Sequence, residues 1–274
     1  MNGISLGQYY PANSLLHRID ARMKVVLSIL YIVAVFLCKN TLSFAALAAS
    51  ALLLLLISRI PIRIVMRAIR PIVFVMLFTV ALNLFWTRGE GEPLWAFWRL
   101  RIYTEGIYGA VFMIVRIIVL ILGTSLFLTY TTTPIALTDA IESLLSPLRV
   151  LHVPVHEFAM MMTIALRFVP TLSEETTKIM SAQKARGVDF SNGGLIKRAK
   201  ALIPILIPLF VSAFRRADEL ALAMECRCYR GGKGRTKMTV VHLHAGDFVA
   251  LLLMLGFGTG IFFLNRLGYG YTMK

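Results

Sequence analysis

The sequence predicts an all-α integral membrane protein, with about five transmembrane helices plus a layer of cytoplasmic helices between spans 4 and 5. Three observations lead there. Of 274 residues, 58% are hydrophobic and only 16% charged, whereas soluble domains run near half apolar and about a quarter charged. Apolar runs recur, each close to the roughly 18 residues a helix needs to cross a bilayer. Lysine and arginine are spread unevenly among the connections, and that bias orients a membrane protein.

The first run, 25–38 (VVLSILYIVAVFLC), is short, but Arg22 and Lys24 flank it and can snorkel to the interface. The second, 41–58, continues through Leu52–Ile57, so "ALA" at 46–48 is not the end of a cleaved signal peptide. Before the third run, Arg59, Arg63, Arg67 and Arg70 recur at helical spacing in "RIPIRIVMRAIR". Four arginines on one face, with isoleucine, valine and methionine around the rest, predict an interfacial helix against lipid headgroups. The third run, 72–86, is again short and flanked by Arg70. The fourth, 107–130, holds a single charge, Arg116, and the fifth is 245–264.

Arg18, Arg22 and Lys24 precede span one, and four arginines lie between spans two and three. Only Lys39 lies between spans one and two. The alternation places the N-terminus inside and the C-terminus outside. The net charge of +15 is therefore mostly positive-inside bias, and no nucleic-acid partner is expected. Three cysteines (Cys38, Cys226, Cys228) make no disulfide framework.

The chain thus divides into 1–130 (N-terminal segment and spans 1–4), 131–244 (a helical region on the cytoplasmic side) and 245–274 (span 5 and tail). Within 131–244, "ALIPILIPLFVSAF" (201–214) is not a sixth span. It has fourteen residues, two prolines and basic clusters at both ends. Three helices are expected: 134–149, capped by Thr133 with Pro134 at its first position; Val155 to Arg186, broken or kinked near Pro170; and Gly194 to Cys228, kinked at Pro204 and Pro208. Glu174 and Lys178 have i,i+4 pairing geometry. Gly187 is placed to close its helix in the left-handed conformation.

Two stretches of this region echo each other. "SAQKARG" aligns with "LAMECRC", setting Ala182 with Ala223, Ala185 with Cys226, Arg186 with Arg227 and Gly187 with Cys228. A basic residue in a last helical turn complements the helix dipole and needs no further role. Repetition, with small residues on either side, points instead to two protruding guanidiniums, each a planar five-donor fork suited to carboxylates. Two such ends imply two acceptor grooves.

With these motifs the chain resembles the transmembrane T component of energy-coupling factor (ECF) transporters, the ABC-type importers of vitamins and metal ions. Arg186 within "KARG" matches the first Ala-Arg-Gly-like motif of that family; Arg227 within "CRC" matches the second, with cysteines replacing its neighbours. "SLLHRIDARMK" (14–24), "LRFVP" (166–170) and "FRRADELALAME" (214–225) extend the likeness over nearly the whole chain. The resemblance implies coupling helices whose ends, Ala185–Arg186–Gly187 and Cys226–Arg227–Cys228, dock two ABC ATPase subunits (a hetero- or homodimer). A small membrane-embedded S component would bind the substrate. It further implies a prokaryotic plasma-membrane location, no enzymatic activity and no cofactor on this chain, with ATP and Mg held by the partner subunits.

No G-x-x-x-x-G-K-[ST] occurs, and "GGKGRT" at 231–236 has the wrong spacing for a nucleotide site. His152 and His156 are four apart with Pro154 between them, unlike a helical zinc pair, so no metal site is expected. Arg116 needs a partner, since a charge within a span is costly. The S component, a polar pocket near Asn83, or an internal contact fixing helix packing all remain open. Two other classes were weighed. A membrane-embedded enzyme lacks a convergent acid, base and nucleophile, its carboxylates at 174, 175, 218, 219 and 225 being dispersed. An ordinary ABC permease half would use one short coupling helix.

Overall fold

The structure, a computed structural model, describes residues 9–86, 95–97, 100–188, 190, 194–231 and 243–267. In chain order its helices are α1 (Leu15–Arg18), α2 (Ala21–Leu37), α3 (Thr41–Ser58), α4 (Ile62–Ile69), α5 (Val73–Trp86), α6 (Thr104–Thr124), α7 (Pro134–Leu145), α8 (Val155–Ala185), α9 (Leu195–Cys226) and α10 (Ala245–Leu267). Two three-residue strands, β1 (Trp95–Phe97) and β2 (Leu100–Ile102), pair antiparallel, with Ala96 opposite Arg101. They are the only strands among the described residues. Two compact units divide the chain: Gly7–Ala140 with Val241–Lys274, and Ile141–Val240.

In the first unit, four stretches are long and apolar enough to cross a membrane: Thr41–Ser58, Ile62–Leu84, Thr104–Thr129 and Ala245–Arg266. These and α2, at 17 residues, correspond to the five expected runs. The core is a seam through α2, α3 and α6. Leu27, Tyr31, Ala34 and Val35 bury one face of α2; Phe44, Leu47 and Ala51 one face of α3; Phe112 and Val119 one face of α6. The opposite faces are just as apolar but exposed: Ile29, Val33 and Phe36 on α2, Leu52, Leu53 and Leu56 on α3. Helices apolar all round with only one face packed belong in lipid.

The seam is close because Gly123 of α6 sits against the Tyr31 ring of α2, where a Cβ would overlap the ring carbons. Tyr31 is fully buried and meets Phe127 edge-on at 5.8 Å. Beyond Gly123, α6 widens into a π-helical turn, Ser125–Thr129, whose end is marked by the Tyr130 N–H donating to the Ser125 carbonyl at 2.9 Å.

Polar ties fix α10 beside α2 at both ends. The Asp20 N–H donates to Asp247 Oδ1 at 3.0 Å. At the other end, Asn265 Nδ2 donates to the Leu37 carbonyl at 2.6 Å, and Asn40 Nδ2 donates to the Asn265 carbonyl at 3.1 Å. Start meets start and end meets end, so α2 and α10 run parallel. Lys24 Nζ donates to the Thr131 carbonyl at 2.8 Å, which brings the end of the α6 segment to the level where α2 and α10 begin. The chain therefore leaves the bundle after Thr131 and rejoins it at His244 on the same side.

One sequence expectation is corrected here. The four arginines do not share one helix: Arg59 is the left-handed C-cap of α3 (φ 54°). Pro61 keeps the helix from running on, because proline disfavours the helical conformation in the preceding Ile60, so α4 begins afresh at Ile62. Arg63, Arg67 and Arg70 remain together and exposed. Nor is α4 a separate interfacial element, since one 3₁₀ turn, Arg70–Ile72, carries it into α5.

In the second unit, α8 continues unbroken through Pro170 and α9 through Pro204 and Pro208. A 3₁₀ segment, Ser146–Leu151, follows α7. Thr133 Oγ1 accepts the Ala136 N–H at 3.3 Å and Pro134 opens α7, the cap the sequence indicates. Glu174 and Lys178 do not pair. Instead Glu175, one residue on, binds Arg216 of α9 at 2.9 Å.

Replacing Gly123 tests the seam. Gly123→Val forces the buried Tyr31 ring from its site, and overpacking of this kind costs about 1–3 kcal/mol. A melt in detergent should show the variant unfolding at a clearly lower temperature than wild type, whereas Gly256→Val, where a Cβ meets nothing, should not.

Candidate functional site

The two echoed stretches end α8 and α9, and their backbones close in the same way. Each helix has an arginine as C-cap, Arg186 (φ −84°, ψ 6°) and Arg227 (φ −92°, ψ 19°). The following residue is left-handed in both, Gly187 at φ 87° and Cys228 at φ 58°. The hydrogen bonds correspond one for one. The Gly187 N–H donates to the Lys184 carbonyl and the Val188 N–H to Gln183, both at 3.0 Å. The Cys228 N–H donates to Glu225 at 2.8 Å and the Tyr229 N–H to Met224 at 3.0 Å. Both ends are therefore Schellman motifs, which satisfy the last open carbonyls of a helix.

The burial pattern repeats as well. Ala185, Arg186 and Gly187 are exposed, as are Cys226, Arg227 and Cys228. Gln183 and Val188, like Met224 and Tyr229, are partly covered. The turn thus presents its arginine outward on a stem closed by its own backbone. No side chain of the described residues pairs with either guanidinium, so both forks stand open to an acceptor. Glycine takes the left-handed conformation freely; a cysteine there carries a steric penalty of about 1–2 kcal/mol. Two cysteines in place of alanine and glycine leave the shape of the second end intact and strain it.

The helices that carry these ends run antiparallel. Gln183 Nε2 of α8 donates to the Pro204 carbonyl of α9 at 3.5 Å, while Glu175, two turns earlier, meets Arg216 farther along α9. Ser212 and Arg216 together hold the Glu175 carboxyl below the usual carboxylate range, the Ser212 hydrogen bond being the larger cause. Arg186 thus lies near the Pro204 level of α9. Arg227 lies twenty-three residues beyond Pro204, roughly 35 Å at 1.5 Å per residue. One small acceptor cannot bind both.

The other singled-out residues have local partners. His156 Nδ1 bonds Glu142 Oε1 at 2.9 Å, joining α8 to α7; His152 is left-handed at φ 58°, outside the helix. Among the described residues no group of three or more His, Cys, Asp or Glu is placed to hold a metal ion. The "GGKGRT" stretch lies outside the described residues apart from Gly231. Arg116 donates from Nη2 to the Cys38 carbonyl at 2.9 Å, and its guanidinium lies 5.2 Å from the centre of the Phe44 ring. Phe44 in turn stacks on Phe112 at 4.6 Å. Since α2 is short, its C-terminal carbonyls open beside the middle of α6, and a cation there satisfies them and complements the helix dipole. Asn83, the alternative neighbour, donates to the Thr79 carbonyl in its own helix.

The sequence reading missed the Glu175–Arg216 clamp and the ties through Asp20, Asp247, Asn40 and Asn265. Asp20 and Lys24 stood within the "HRIDARMK" stretch, but nothing in the sequence marked Asp247 or Asn265 as their distant counterparts.

Comparison with known proteins decides the family. Residues 12–238 match the family model described as cobalt transport protein, CbiQ. The energy-coupling factor transporter transmembrane protein EcfT of Clostridium kluyveri is 50% identical over 252 residues, 92% of this chain and 93% of that protein. That of Thermosediminibacter oceani is 49% identical over 252 residues, covering 92% and 94%; that of Bacillus subtilis is 44% identical over 265, covering 97% and 99%. The chain belongs to this family of ECF transporter transmembrane components. With the apolar helices above, it is a multi-pass membrane protein of a transport system, an all-α one, as the motifs indicate.

Two expectations follow. Cys228→Gly should relieve the left-handed strain and stabilise the end of α9 by about 1 kcal/mol, and Gly187→Ala should cost α8 a similar amount. Amide hydrogen exchange at residues 224–229 and 183–188 measures both. Arg116→Met leaves the Cys38 carbonyl unsatisfied, at a cost of about 1–3 kcal/mol, and should lower the melting temperature while both arginine-bearing ends keep their exchange protection.

Proposed function

We propose that the subunit couples ATP hydrolysis by two cytoplasmic ABC ATPase subunits to the reorientation of a small substrate-binding S component in the membrane. The outcome is vitamin or metal-ion uptake. The observation that carries the proposal is the duplicate helix end: the same Schellman closure, the same exposed arginine, on two antiparallel helices with the arginines tens of ångströms apart. A pair of like acceptors at such a separation is what an ATPase dimer presents. Membership of the family supports the same reading, since the relatives are named as energy-coupling factor transporter components.

In this reading Ala185, Arg186 and Gly187 dock one ATPase, and Cys226, Arg227 and Cys228 the other. The small flanking residues let the acceptor surface approach, and each guanidinium binds a carboxylate within it. When ATP draws the ATPases together, two rigidly closed helix ends are displaced with them, and the long helices α8 and α9 transmit the movement. This chain then carries out no chemistry and holds no cofactor; ATP and Mg belong to the partners. The N-terminus lies in the cytoplasm of a prokaryotic cell and the C-terminus outside, as the basic connections indicate. Arg116 acts within the bundle, holding the α2–α3 turn.

Charge reversal tests the docking residues. Arg186→Glu replaces an attraction with repulsion, and breaking a buried charge pair of this kind costs on the order of 2–5 kcal/mol. The variant should no longer co-purify with its ATPases. Arg227→Glu should have the same effect; if only one of the two matters, the duplicate-groove reading fails. The chain alone should show no ATPase activity in proteoliposomes, and activity on its own would favour a membrane-embedded enzyme instead.

A further inference from the structure

Two contiguous cavities of the first unit fall outside the docking function. One is a groove of about 960 Å³ between α2, α3 and α10, walled mainly by aliphatic and aromatic side chains, leucine the most frequent. The other is a polar pocket of about 340 Å³ at the N-terminal ends of α2 and α10, against Thr131–Thr133. They share Arg18, Ile19 and His244, so the apolar groove opens directly into the polar one. Both volumes fall in the range of ligand sites, roughly 300–1,000 Å³.

We infer that this composite site binds a single anionic phospholipid, with an acyl chain in the groove and the phosphate at its polar head. The groove runs along spans whose outer faces meet lipid. Leu53 and Leu253 on its rim are 57% and 70% exposed, and an acyl chain is the apolar occupant that the membrane supplies. The polar pocket lies at the level where the apolar helices begin, the depth of the headgroups.

Charge selects the headgroup. The acidic and basic groups deepest in the site are engaged with the fold. Asp247 accepts the Asp20 and His244 N–H groups, Asp20 Oδ1 accepts the Arg22 N–H, and Lys24 donates to the Thr131 carbonyl. At the rim, the Arg18 and Arg22 guanidiniums and the His244 ring have no side-chain partner among the described residues. Asp139, exposed, is the acidic neighbour there. Two open guanidinium forks at the polar pocket, one of them on Arg18, which also lines the groove, match a phosphate diester. Asp20 Oδ2, buried and without a partner, faces the same pocket and is left for a water or a headgroup hydroxyl.

The test uses the full chain in mild detergent, titrated with phosphatidylglycerol and with phosphatidylcholine of the same acyl chains, and read by native mass spectrometry. One phosphatidylglycerol should be retained per chain, with a preference over phosphatidylcholine on the order of tenfold. Arg18→Gln combined with Arg22→Gln should abolish the preference. Leu53→Trp with Leu253→Trp, both exposed and so compatible with folding, should reduce retention of either lipid severalfold. The proposal is overturned if wild type shows no preference, if the arginine variant keeps it, or if millimolar inorganic phosphate displaces the lipid, which would make the pocket a free-anion site. A photoreactive residue at position 253 that crosslinks to polypeptide instead of lipid also overturns it.

Discussion

The parallel pairing of α2 with α10 is the constraint on which the rest of the membrane unit depends. Helices at the two ends of the sequence are tied at both of their own ends, by Asp20 with Asp247 and by Asn40 and Leu37 with Asn265. Within lipid, an unsatisfied backbone group costs several kcal/mol. The short α2 leaves C-terminal carbonyls open at the level where α10 ends and beside the middle of α6. Asn265 takes one and Arg116 another, so polar side chains from α10 and α6 satisfy the end of this 17-residue helix. Because α2 and α10 start on one side, and the end of the α6 segment arrives there too, everything between Thr131 and His244 begins and returns at one level.

The second unit solves a different problem, the presentation of an arginine to water without a mobile stem. A C-cap arginine in a Schellman turn has its backbone fixed by two hydrogen bonds that do not involve its side chain. The position after it must be left-handed, which is why glycine is the natural neighbour. At Cys228 the hydrogen-bond pattern overrides residue preference: the turn adopts the same form with a residue that resists it. Shape at the second end is preserved at the expense of local stability, and the guanidinium projects as its counterpart does.

The spans at Thr41–Ser58, Ile62–Leu84, Thr104–Thr129 and Ala245–Arg266 were legible in the sequence because they depend on run length and composition, which local reading captures. The end of α8 was also legible, since Lys184 in its last turn and the following Gly187 mark it, and the end of α9 was legible through its likeness to that stretch. Arg59 was misplaced because spacing alone put it on a helix that Pro61 prevents from starting there. Pro170 does not break α8, and α9 runs on through Pro204 and Pro208 as one helix: a proline removes one hydrogen bond, and the helix continues around it where neighbouring turns hold. Glu175 was passed over in favour of Glu174 because an intrahelical rule can be applied to sequence, whereas a partner forty-one residues away on α9 cannot. The same holds for Asp247 and Asn265, whose roles are defined by a pairing of helices from opposite ends of the chain.

In the proposed reading, the arginines of the two helix ends and Arg116 rest on one chemical property used at two dielectric levels. At Arg186 and Arg227 the guanidinium stands in water, where an exposed ion pair contributes little, so strong binding there requires a partner that buries the pair and excludes solvent. That favours a groove over a flat surface as the acceptor. At Arg116 the group is already within the bundle, and its partner is a backbone carbonyl with the Phe44 ring beside it, both neutral. A neutral partner leaves the positive charge uncancelled. Arginine suits the place because its guanidinium is planar and weakly hydrated, so it can donate to the carbonyl while lying beside the ring. The sequence uses arginine at all three positions for reasons that differ in surroundings and agree in chemistry.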